Sequence, residues 1–373
     1  MPAIRTDPTT GLKVFDTRAA KASDRIAGSG YEIQQDASLK VLPPQPAGAS
    51  YDAEEQAKYR QIKEERRGAA DYMSMEGEFA RYLEDCYSEA PVEREALDDD
   101  CEIVVVGAGF AGLLLWYKLR QAGFEDVRFC EKGGDVGGTW YWNRYPGIAC
   151  DVESYSYLPL LEEMEYFPTM RFASGFEIYE YCQAMATKFG FYDKCLFHTT
   201  VERTAWDEDD GRWTVHTDRG DIDTGLVINC AGPWARSLAA MIGVELPNRQ
   251  ERHEIMVSES LKPFLDPMVI SITNGLYFSQ SMRGEIVGGI GDRAEPAHDD
   301  PARFDTRSQL RFAVRFATEL FRDYPRAAQV RMMRQWAGMY DVTPDHRPIL
   351  GGVPGLDGYY HICGFSGHGF MLG

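Results

Sequence analysis

The chain has 373 residues, of which 44% are hydrophobic and 26% are charged, so it is long enough for two or three globular domains. Its formal net charge of −19 argues against nucleic acid and against anionic membrane surfaces as partners. Eight cysteines without a C-x-x-C pair, and seven histidines without metal-ligand spacing, argue against a disulfide framework and against a metal site.

From the same totals we expect a cytoplasmic protein that acts on a small-molecule substrate. The first residues, MPAIRTDPTT, contain no apolar signal region, and the longest apolar run is too short to span a bilayer. The composition leaves the oligomeric state open.

The first hundred residues are predicted to form an irregular and helical extension. Residues 1–50 show little periodicity, whereas the patterns over 53–67 and 76–85 indicate two short helices. The acidic stretch 90–100 contains Pro91 and is predicted to be a linker into the first buried strand.

A dinucleotide-binding fingerprint follows this linker, over residues 101–131. The β-branched run 103–106 suits a buried strand, and three glycines follow it in G-x-G-x-x-G spacing before a helical pattern. Gly107 allows the tight turn, Gly109 lets the backbone approach a pyrophosphate, and Gly112 lets helix and strand pack closely. A glycine-rich turn without a ligand is the alternative.

Glu131 closes the second predicted strand, over 126–130. An acid at this position hydrogen-bonds a ribose hydroxyl and repels a 2′-phosphate, so the fingerprint favours FAD or NAD over NADP. The next segment, GGDVGGTWYWNRYPGIACDVES over 133–154, is a glycine-rich loop whose aromatic residues can line a planar ring system. Together these features predict FAD, and the alternative is a loop that packs only on its own domain.

Helices and strands then alternate up to about residue 230. A helix is predicted over 176–189 and a strand over 195–200. A hairpin with Asp-Asp-Gly at its turn is predicted over 204–217, and a buried strand over 226–230 ends at an Ala-Gly pair.

The second half changes to strands that are separated by glycine-rich turns. Strands are predicted over 254–257, 268–272, 276–278, 283–290, 330–339, 348–352 and 359–363. Between them a helix is predicted from Asp305 to Phe321, and its apolar stripe would consist of Leu310, Val314, Ala317 and Phe321.

Three stretches in the first half are VVVGAGFAGLLLWYKLR, EKGGDVGGTWYWNRYPGIACDVESYSYLPLLEE and FEIYEYCQAMATKFGFYDK. Through them, residues 51–221 resemble the Baeyer–Villiger monooxygenases. The resemblance implies that Asp151 stands near the flavin and helps to orient a catalytic arginine. It also implies FAD contacts for Gly107, Gly109, Phe110, Gly112, Glu131, Lys132, Gly138, Thr139, Trp140, Arg144, Tyr145, Asp151 and Val201.

Five stretches in the second half are VINCAGPWARSL, RHEIMV, LYFSQSMRGEIVGGIGD, RQWAGMYDVTPDHRPILG and CGFSGHGF. Through them, residues 226–373 resemble the D-amino-acid oxidase superfamily, nearest to its branch of sarcosine oxidase β-subunits and amino-acid dehydrogenases. The resemblance implies that Ala231 and Gly232 end a strand of the FAD domain. It also implies that a closing loop presents backbone donors to the flavin through Gly364, Gly367 and Gly369.

Both families share a glutathione-reductase-like FAD domain, and the change between them falls near 221–226, so the chain looks like a chimera joined at equivalent positions. The sequence leaves three origins of this join open, namely a natural fusion, a designed recombinant and an assembly error. The implied fold class is α/β, with a glutathione-reductase-like FAD-binding Rossmann domain over 101–232 and 345–373. A second, mainly antiparallel β-sheet substrate domain with one helix would cover 233–344, after an N-terminal extension over 1–100.

Each half departs from its family in a way that bears on activity. No second G-x-G-x-x-G opens a βαβ unit for NADPH, and the monooxygenase signature F-x-G-x-x-x-H-x-x-x-W is absent. Met371 stands where some amine-oxidising relatives carry a lysine that assists the reaction of reduced flavin with oxygen. The helix expected after the last glycine is missing, and this suggests a chain cut short after Gly373.

The favoured function is an FAD-dependent oxidoreductase in which a secondary amine or amino acid, similar to sarcosine or proline, gives a hydride to flavin. Tyr277 and Arg283 could bind a substrate carboxylate, although Arg283 could instead pair with Glu285 or Asp292. His368 is interpreted as a residue that orders the closing loop, and His253 as structural. The alternatives are a Baeyer–Villiger monooxygenase that acts on ketones, and an FAD-binding chimera without turnover.

Overall fold

The computed structural model describes residues 4–6, 13–15, 61, 85–87, 94–291 and 309–372. Most of the predicted irregular region and of the two predicted N-terminal helices lies outside these residues, as does Asp305. Near the start of the chain, β1 (Ile4–Thr6) and β2 (Lys13–Phe15) pair as a short antiparallel ribbon. No helix among the described residues is long and apolar enough to cross a membrane.

The larger sheet has eight strands, and its central strands run parallel. They are β3 (Leu97–Val106), β4 (Val127–Cys130), β5 (Cys195–Leu196), β6 (Val201–Asp207), β7 (Arg212–Thr217), β8 (Gly220–Asn229), β14 (Ile349–Gly352) and β15 (Tyr359–Cys363). The main order is β14-β15-β8-β3-β4-β5, and the antiparallel hairpin β6–β7 attaches to β8. This arrangement is the Rossmann-type sheet that the fingerprint predicted.

Helices cover this sheet because their apolar faces match its buried strands. They are α1 (Phe110–Gln121), α2 (Thr139–Trp142), α3 (Ser154–Tyr157), α4 (Leu161–Met164), α5 (Gly175–Lys188) and α6 (Ala235–Ala240). In α1, Leu113 and Trp116 are buried in the same apolar core as Ile103 of β3. Short 3₁₀ turns cover Tyr192–Lys194 and Gly232–Trp234.

The start of β3 differs from the linker predicted over 90–100, because the strand already begins at Leu97. Its acidic residues are tolerated in the sheet since neighbouring arginines neutralise them. Asp99 pairs with Arg128 at 2.8 Å, and Asp100 pairs with Arg212 at 2.5 Å.

β8 connects the two parts of the chain that resemble different families. It runs parallel to β3 in one register, from Leu97 opposite Gly220 to Val106 opposite Asn229. On its other side, its first residues pair with β7 and its last residues pair with β15. The predicted change near 221–226 therefore lies inside a central strand, and one continuous sheet contains residues from both parts.

The second sheet has five antiparallel strands in the order β10-β11-β12-β9-β13. The strands are β9 (Arg249–Ser260), β10 (Val269–Ile270), β11 (Leu276–Gln280), β12 (Glu285–Ile290) and β13 (Met332–Val342). Helix α7 (Leu310–Asp323) covers one face of this sheet and leads into a 3₁₀ turn over Pro325–Gln329. The predicted domain boundaries stay a prediction. The separation of these strands into two sheets supports them.

The buried face of α7 differs from the predicted stripe of Leu310, Val314, Ala317 and Phe321. The buried residues are Phe312, Phe316 and Leu320, and Phe321 of the predicted stripe is half-buried against the same core. Both stripes have helical spacing, and the one with two phenylalanines contacts the sheet because it buries the larger apolar area.

Candidate active site

The turn between β3 and α1 has the geometry that a pyrophosphate site requires. Gly107 has a φ of +111°, and a Cβ there would lie 2.5 Å from the carbonyl oxygen of Cys230. A Cβ on Gly112 would overlap the carbonyl oxygen of Gly107. Helix α1 begins after Gly109 without a side-chain cap, so its first N–H groups are available to an anionic ligand.

Glu131 follows β4 and is buried, with 7% of its surface exposed. Its Oε2 accepts a hydrogen bond from the backbone N–H of Ala108 at 2.8 Å, and its Oε1 accepts one from Gly133 at 2.7 Å. Burial raises the pKa of Glu131, and these two backbone bonds oppose the rise. Each oxygen keeps a second lone pair, so the oriented carboxylate can also accept ribose hydroxyls. Lys132 beside it is exposed.

A short segment from the N-terminal extension contacts this region, and no sequence pattern indicated this contact. Asp85 accepts hydrogen bonds from the backbone N–H of Gly134 at 2.8 Å and from the Tyr141 hydroxyl. The hydroxyl of Tyr87 donates to the carbonyl oxygen of Trp142 at 3.1 Å. Residues 85–87 therefore pack against the loop that follows Glu131.

The aromatic loop lies against the fingerprint. A Cβ on Gly138 would be 2.9 Å from the Cα of Gly109, so the two backbones pass in close contact. Trp140 is buried and donates through Nε1 to the Tyr157 hydroxyl at 3.2 Å, whereas Thr139 beside it is exposed.

Arg144 lies on the outer side of this loop, with its guanidinium 4.1 to 4.5 Å from the ring centres of Tyr87, Tyr141 and Tyr179. Tyr145 is exposed, and its hydroxyl accepts a hydrogen bond from Trp336 Nε1 at 3.1 Å. The loop therefore connects the FAD-binding region with β13 of the second sheet.

Two short segments from the second half close the site. Ala231 donates from its backbone N–H to Asn229 Oδ1 at 3.2 Å, and Gly232 follows with a φ of +53°. The N–H of Gly364 donates to Asp341 at 2.7 Å, and a Cβ on Gly367 would lie 2.6 Å from the Tyr340 ring.

Gly369 begins helix α8 (Gly369–Leu372) next to the fingerprint, so the first turn of the helix that the sequence analysis expected to be missing is present among the described residues. The Phe370 ring stacks on Tyr157 with centres 4.5 Å apart and also contacts Phe110 and Trp140. Val201, by contrast, begins β6 and is half-buried.

A polar network faces these loops from the second sheet. His253 Nε2 and the Tyr277 hydroxyl share a hydrogen bond of 2.7 Å, and the imidazole stacks on Tyr340 with ring centres 4.3 Å apart. Asp151, at the end of the aromatic loop, lies beside the Tyr277 hydroxyl, which lowers the pKa of its carboxyl, and Tyr277 also interacts with Tyr340. A Cβ on Gly289 would lie 2.8 Å from the Tyr277 hydroxyl, so a glycine is needed at this place under the network.

Burial sets the protonation of this network. It raises the pKa of Tyr277 well above its usual value and lowers the pKa of His253 to about 4. Burial also raises the pKa of Asp151, against the effects of its backbone, of the Tyr277 hydrogen bond and of the nearby His368. At neutral pH His253 is therefore neutral and Tyr277 keeps its proton.

Of the four side chains that the sequence suggested for catalysis, Asp151 and Tyr277 lie together here, and His368 is exposed on the closing loop. Arg283 lies in the turn between β11 and β12, 60% exposed, and pairs with Glu285 at 3.3 Å. Its guanidinium also lies against Gly147 of the aromatic loop, where a Cβ would be 3.0 Å from Nη2. His253, interpreted from the sequence as structural, and Tyr340 were missed, since their place depends on the pairing of β9 with β13.

The residues of this site fit FAD. The turn at Gly107 and the close approach of Gly109 to Gly138 have no room for side chains, so a dinucleotide can lie against the backbone. Glu131 is oriented by its two backbone hydrogen bonds. A Rossmann-type sheet with this turn, closed by an antiparallel sheet, defines a flavin-dependent oxidoreductase. More than half of the chain, residues 172–373, matches the family model described as FAD dependent oxidoreductase. The chain belongs to this family.

Residues 105–167 match a second model, described as an NAD(P)-binding Rossmann-like domain. One relative, neopentalenolactone D synthase of Streptomyces avermitilis, is 49% identical over 170 residues, which are 44% of this chain and 28% of the relative. Another, Baeyer-Villiger monooxygenase 4 of Dietzia sp., is 43% identical over 162 residues, which are 43% of this chain and 26% of the relative. The chain thus spans less than a third of the length of these relatives.

Among solved structures, L-proline dehydrogenase from P. horikoshii superposes with a TM-score of 0.57 at 24% identity, covering 74% of this chain and 91% of that chain. This similarity concerns the fold. The two resemblances inferred from the sequence, to Baeyer–Villiger monooxygenases and to the D-amino-acid oxidase superfamily, are both confirmed.

Proposed function

We propose that this protein uses FAD to oxidise a small secondary amine or amino acid. The observation that carries the proposal is the network of Asp151, Tyr277, His253 and Tyr340, which faces the FAD-binding loops from an antiparallel sheet. Bound FAD supplies the two-electron acceptor, and the surrounding side chains position the substrate and hold its proton.

The roles of the network follow from the available protons. If Tyr277 donates its one hydroxyl proton to Asp151, the hydrogen bond with His253 is donated by Nε2–H of the neutral imidazole to the Tyr277 oxygen. His253 thereby fixes the direction of the Tyr277 hydroxyl, and Tyr277 in turn fixes the carboxylate of Asp151. Asp151 is the group in this network that can accept a proton from a substrate.

A Baeyer–Villiger reaction on ketones is the second candidate, because the first-half relatives include proteins named for it. Such a reaction needs NADPH, and a dinucleotide fold for it needs parallel βαβ units. The second sheet of the described residues is wholly antiparallel, which favours amine oxidation. An FAD-binding chain without turnover is the third candidate.

The test begins with the absorbance of the purified protein near the flavin maximum. The protein is then mixed anaerobically with sarcosine or proline, and separately with NADPH. Loss of the flavin colour with an amine alone supports amine oxidation, and loss with NADPH alone supports the monooxygenase. A folded, flavin-loaded protein that keeps its colour with both reagents contradicts both activities.

A further inference from the structure

Residues 85–87 reach the aromatic loop from a distant part of the sequence, and Asp85 makes the central contact. Its carboxylate is only 5% exposed, and its two oxygens have different partners. Oδ1 accepts a hydrogen bond from the backbone N–H of Tyr87 at 3.0 Å, which fixes the turn over 85–87. Oδ2 accepts hydrogen bonds from the backbone N–H of Gly134 at 2.8 Å and from the Tyr141 hydroxyl. Asp85 therefore joins this turn to the start of the aromatic loop.

The stretch of backbone that Asp85 binds also orients Glu131. The N–H of Gly133 donates to Glu131 Oε1 at 2.7 Å, and the N–H of Gly134, the next residue, donates to Asp85. On the other side, the carbonyl oxygen of Gly133 accepts a hydrogen bond from the backbone N–H of His198 at 3.0 Å. A Cβ on Gly134 would lie 2.7 Å from His198 Nε2, so this backbone has no room to shift toward the imidazole. A change at Asp85 would therefore act on Glu131 through two adjacent glycines.

Tyr87 holds the same loop at a second place. Its hydroxyl donates to the carbonyl oxygen of Trp142 at 3.1 Å, and its ring centre lies 4.1 Å from the Arg144 guanidinium carbon. Arg144 is itself fixed to the loop, because its Nε donates to the carbonyl oxygen of Tyr141 at 2.9 Å. Residues 85–87 therefore hold both ends of the stretch 134–142, which contains Gly138 and its close approach to the fingerprint turn.

We propose that Asp85 and Tyr87 are positioning residues for FAD, and that they determine how long the bound cofactor is retained. Ribose binding uses Glu131 in the orientation that Gly133 helps to fix, and the pyrophosphate turn is bordered by Gly138. Because residues 85–87 hold the loop at 134 and at 142, they keep both features in place before FAD binds. Less ordering of the loop then accompanies binding, so the complex is tighter and dissociates more slowly.

The experiment measures the release of FAD from the loaded full chain, in the absence of any substrate. Protein saturated with FAD is diluted, and the fluorescence of the released cofactor gives the dissociation rate. We expect Asp85→Ala to release FAD at least about tenfold faster than the unchanged protein, and Tyr87→Phe at least about threefold faster. Excess FAD should restore full loading of both variants, because the change concerns affinity for the cofactor and not the fold.

The matched control is Asp99→Ala, which removes a carboxylate that pairs with Arg128 at the opposite end of β3 from the fingerprint turn. It should leave the rate of FAD release unchanged. Cys86→Ser alters the exposed residue between the two positioning residues and should also leave that rate unchanged. Release from Asp85→Ala that is no faster than release from Asp99→Ala would overturn the inference.

Tyr87→Phe decides the inference if Asp85→Ala does not fold, because it removes one hydroxyl and keeps the ring beside Arg144. An unchanged rate of release from the folded Tyr87→Phe protein would then contradict the inference. Since no substrate is present, these results are independent of the proposed amine oxidation. Faster release from both variants, together with a flavin colour that no amine removes, would keep the positioning role and reject the oxidation.

Discussion

His253 shows how burial and hydrogen bonding fix the state of a single side chain at the candidate site. Its imidazole is stacked between Tyr277 and Tyr340, with ring centres 5.7 and 4.3 Å away. Burial lowers its pKa from 6.5 to about 4, so the folded protein holds it neutral where an unfolded chain would protonate it.

This residue should make folding stability depend on pH. Between pH 6.5 and about 4 the unfolded chain binds a proton that the folded protein does not, so stability is fully present above pH 6.5 and falls as the pH falls. The loss from His253 should amount to at most about 3 kcal/mol. Urea unfolding at several pH values measures it.

The matched variant is His253→Gln, whose side-chain amide can still donate to Tyr277 and does not titrate. It should flatten the pH dependence without removing it, since burial also lowers the pKa of His361. Equal slopes for the two proteins would contradict the prediction.

Glu131 is the residue whose replacement should most affect the cofactor. In Glu131→Gln the amide can accept only one of the two backbone N–H groups that the carboxylate now accepts, and its NH₂ would face the other. We expect FAD affinity to fall at least about tenfold, since one buried donor becomes unpaired. The ratio of flavin to protein absorbance after dialysis measures this, with the exposed Glu125→Gln as control.

At the scale of single residues, the sequence identified those whose function depends on a local motif, such as Gly107 and Glu131. It also singled out Asp151 and Tyr277, through resemblance to two families. It could not find His253 or Tyr340 as their partners, because that contact depends on strand pairing between distant parts of the chain. The carboxylate-binding role suggested for Arg283 stays a prediction, although its ion pair with Glu285 was one of the alternatives.

Among the elements, the contact of α1 with the turn after β3 permits little variation. Gly112→Ala would place a Cβ against the backbone of Gly107, which cannot move without disturbing the pyrophosphate turn. We expect a loss of at least about 2 kcal/mol in unfolding free energy, together with loss of bound flavin. Gly225→Ala in β8 is the control, since its Cβ would find an ordinary contact at 3.6 Å. Equal melting temperatures for the two variants would contradict this.

Elements with a strong local pattern were predicted closely, whereas those stabilised by distant partners were not. The fingerprint strand and helix and the hairpin of β6 and β7 lie where the sequence indicated. The acidic start of β3 was missed because Arg128 and Arg212, which neutralise it, are distant in sequence. In α7 two stripes of helical spacing were possible, and only the sheet decides between them.

At the level of the whole molecule, α8 joins the closing loop to the FAD-binding half. Phe370 contacts three aromatic residues there, namely Phe110, Trp140 and Tyr157. Phe370→Ala should lower the unfolding free energy by about 2 kcal/mol, because it leaves a gap between the two halves. Thermal melting measures the change, and Phe176→Ala, which alters a side chain 69% exposed, should have little effect. A melting temperature unchanged in both would show that α8 does not contribute.

The sequence predicted two sheets and one cofactor, and it placed the change of family near residues 221–226. It could not show that this change lies inside a strand hydrogen-bonded on both sides, because strand register depends on residues far apart in the chain. The continuous register of β8 with β3 supports one folded unit rather than two fragments that fold separately.

The position of β8 has a consequence for synthesis on the ribosome. The last residues of β8 pair with β15, where Tyr359 lies opposite Val227, and more than a hundred residues must be translated between the two. Until then this part of β8 presents an open edge to other nascent chains. We therefore expect the growing chain to engage chaperones until β15 has emerged, and ribosome-bound chains from which β15 has not yet emerged should aggregate more than chains from which it has emerged.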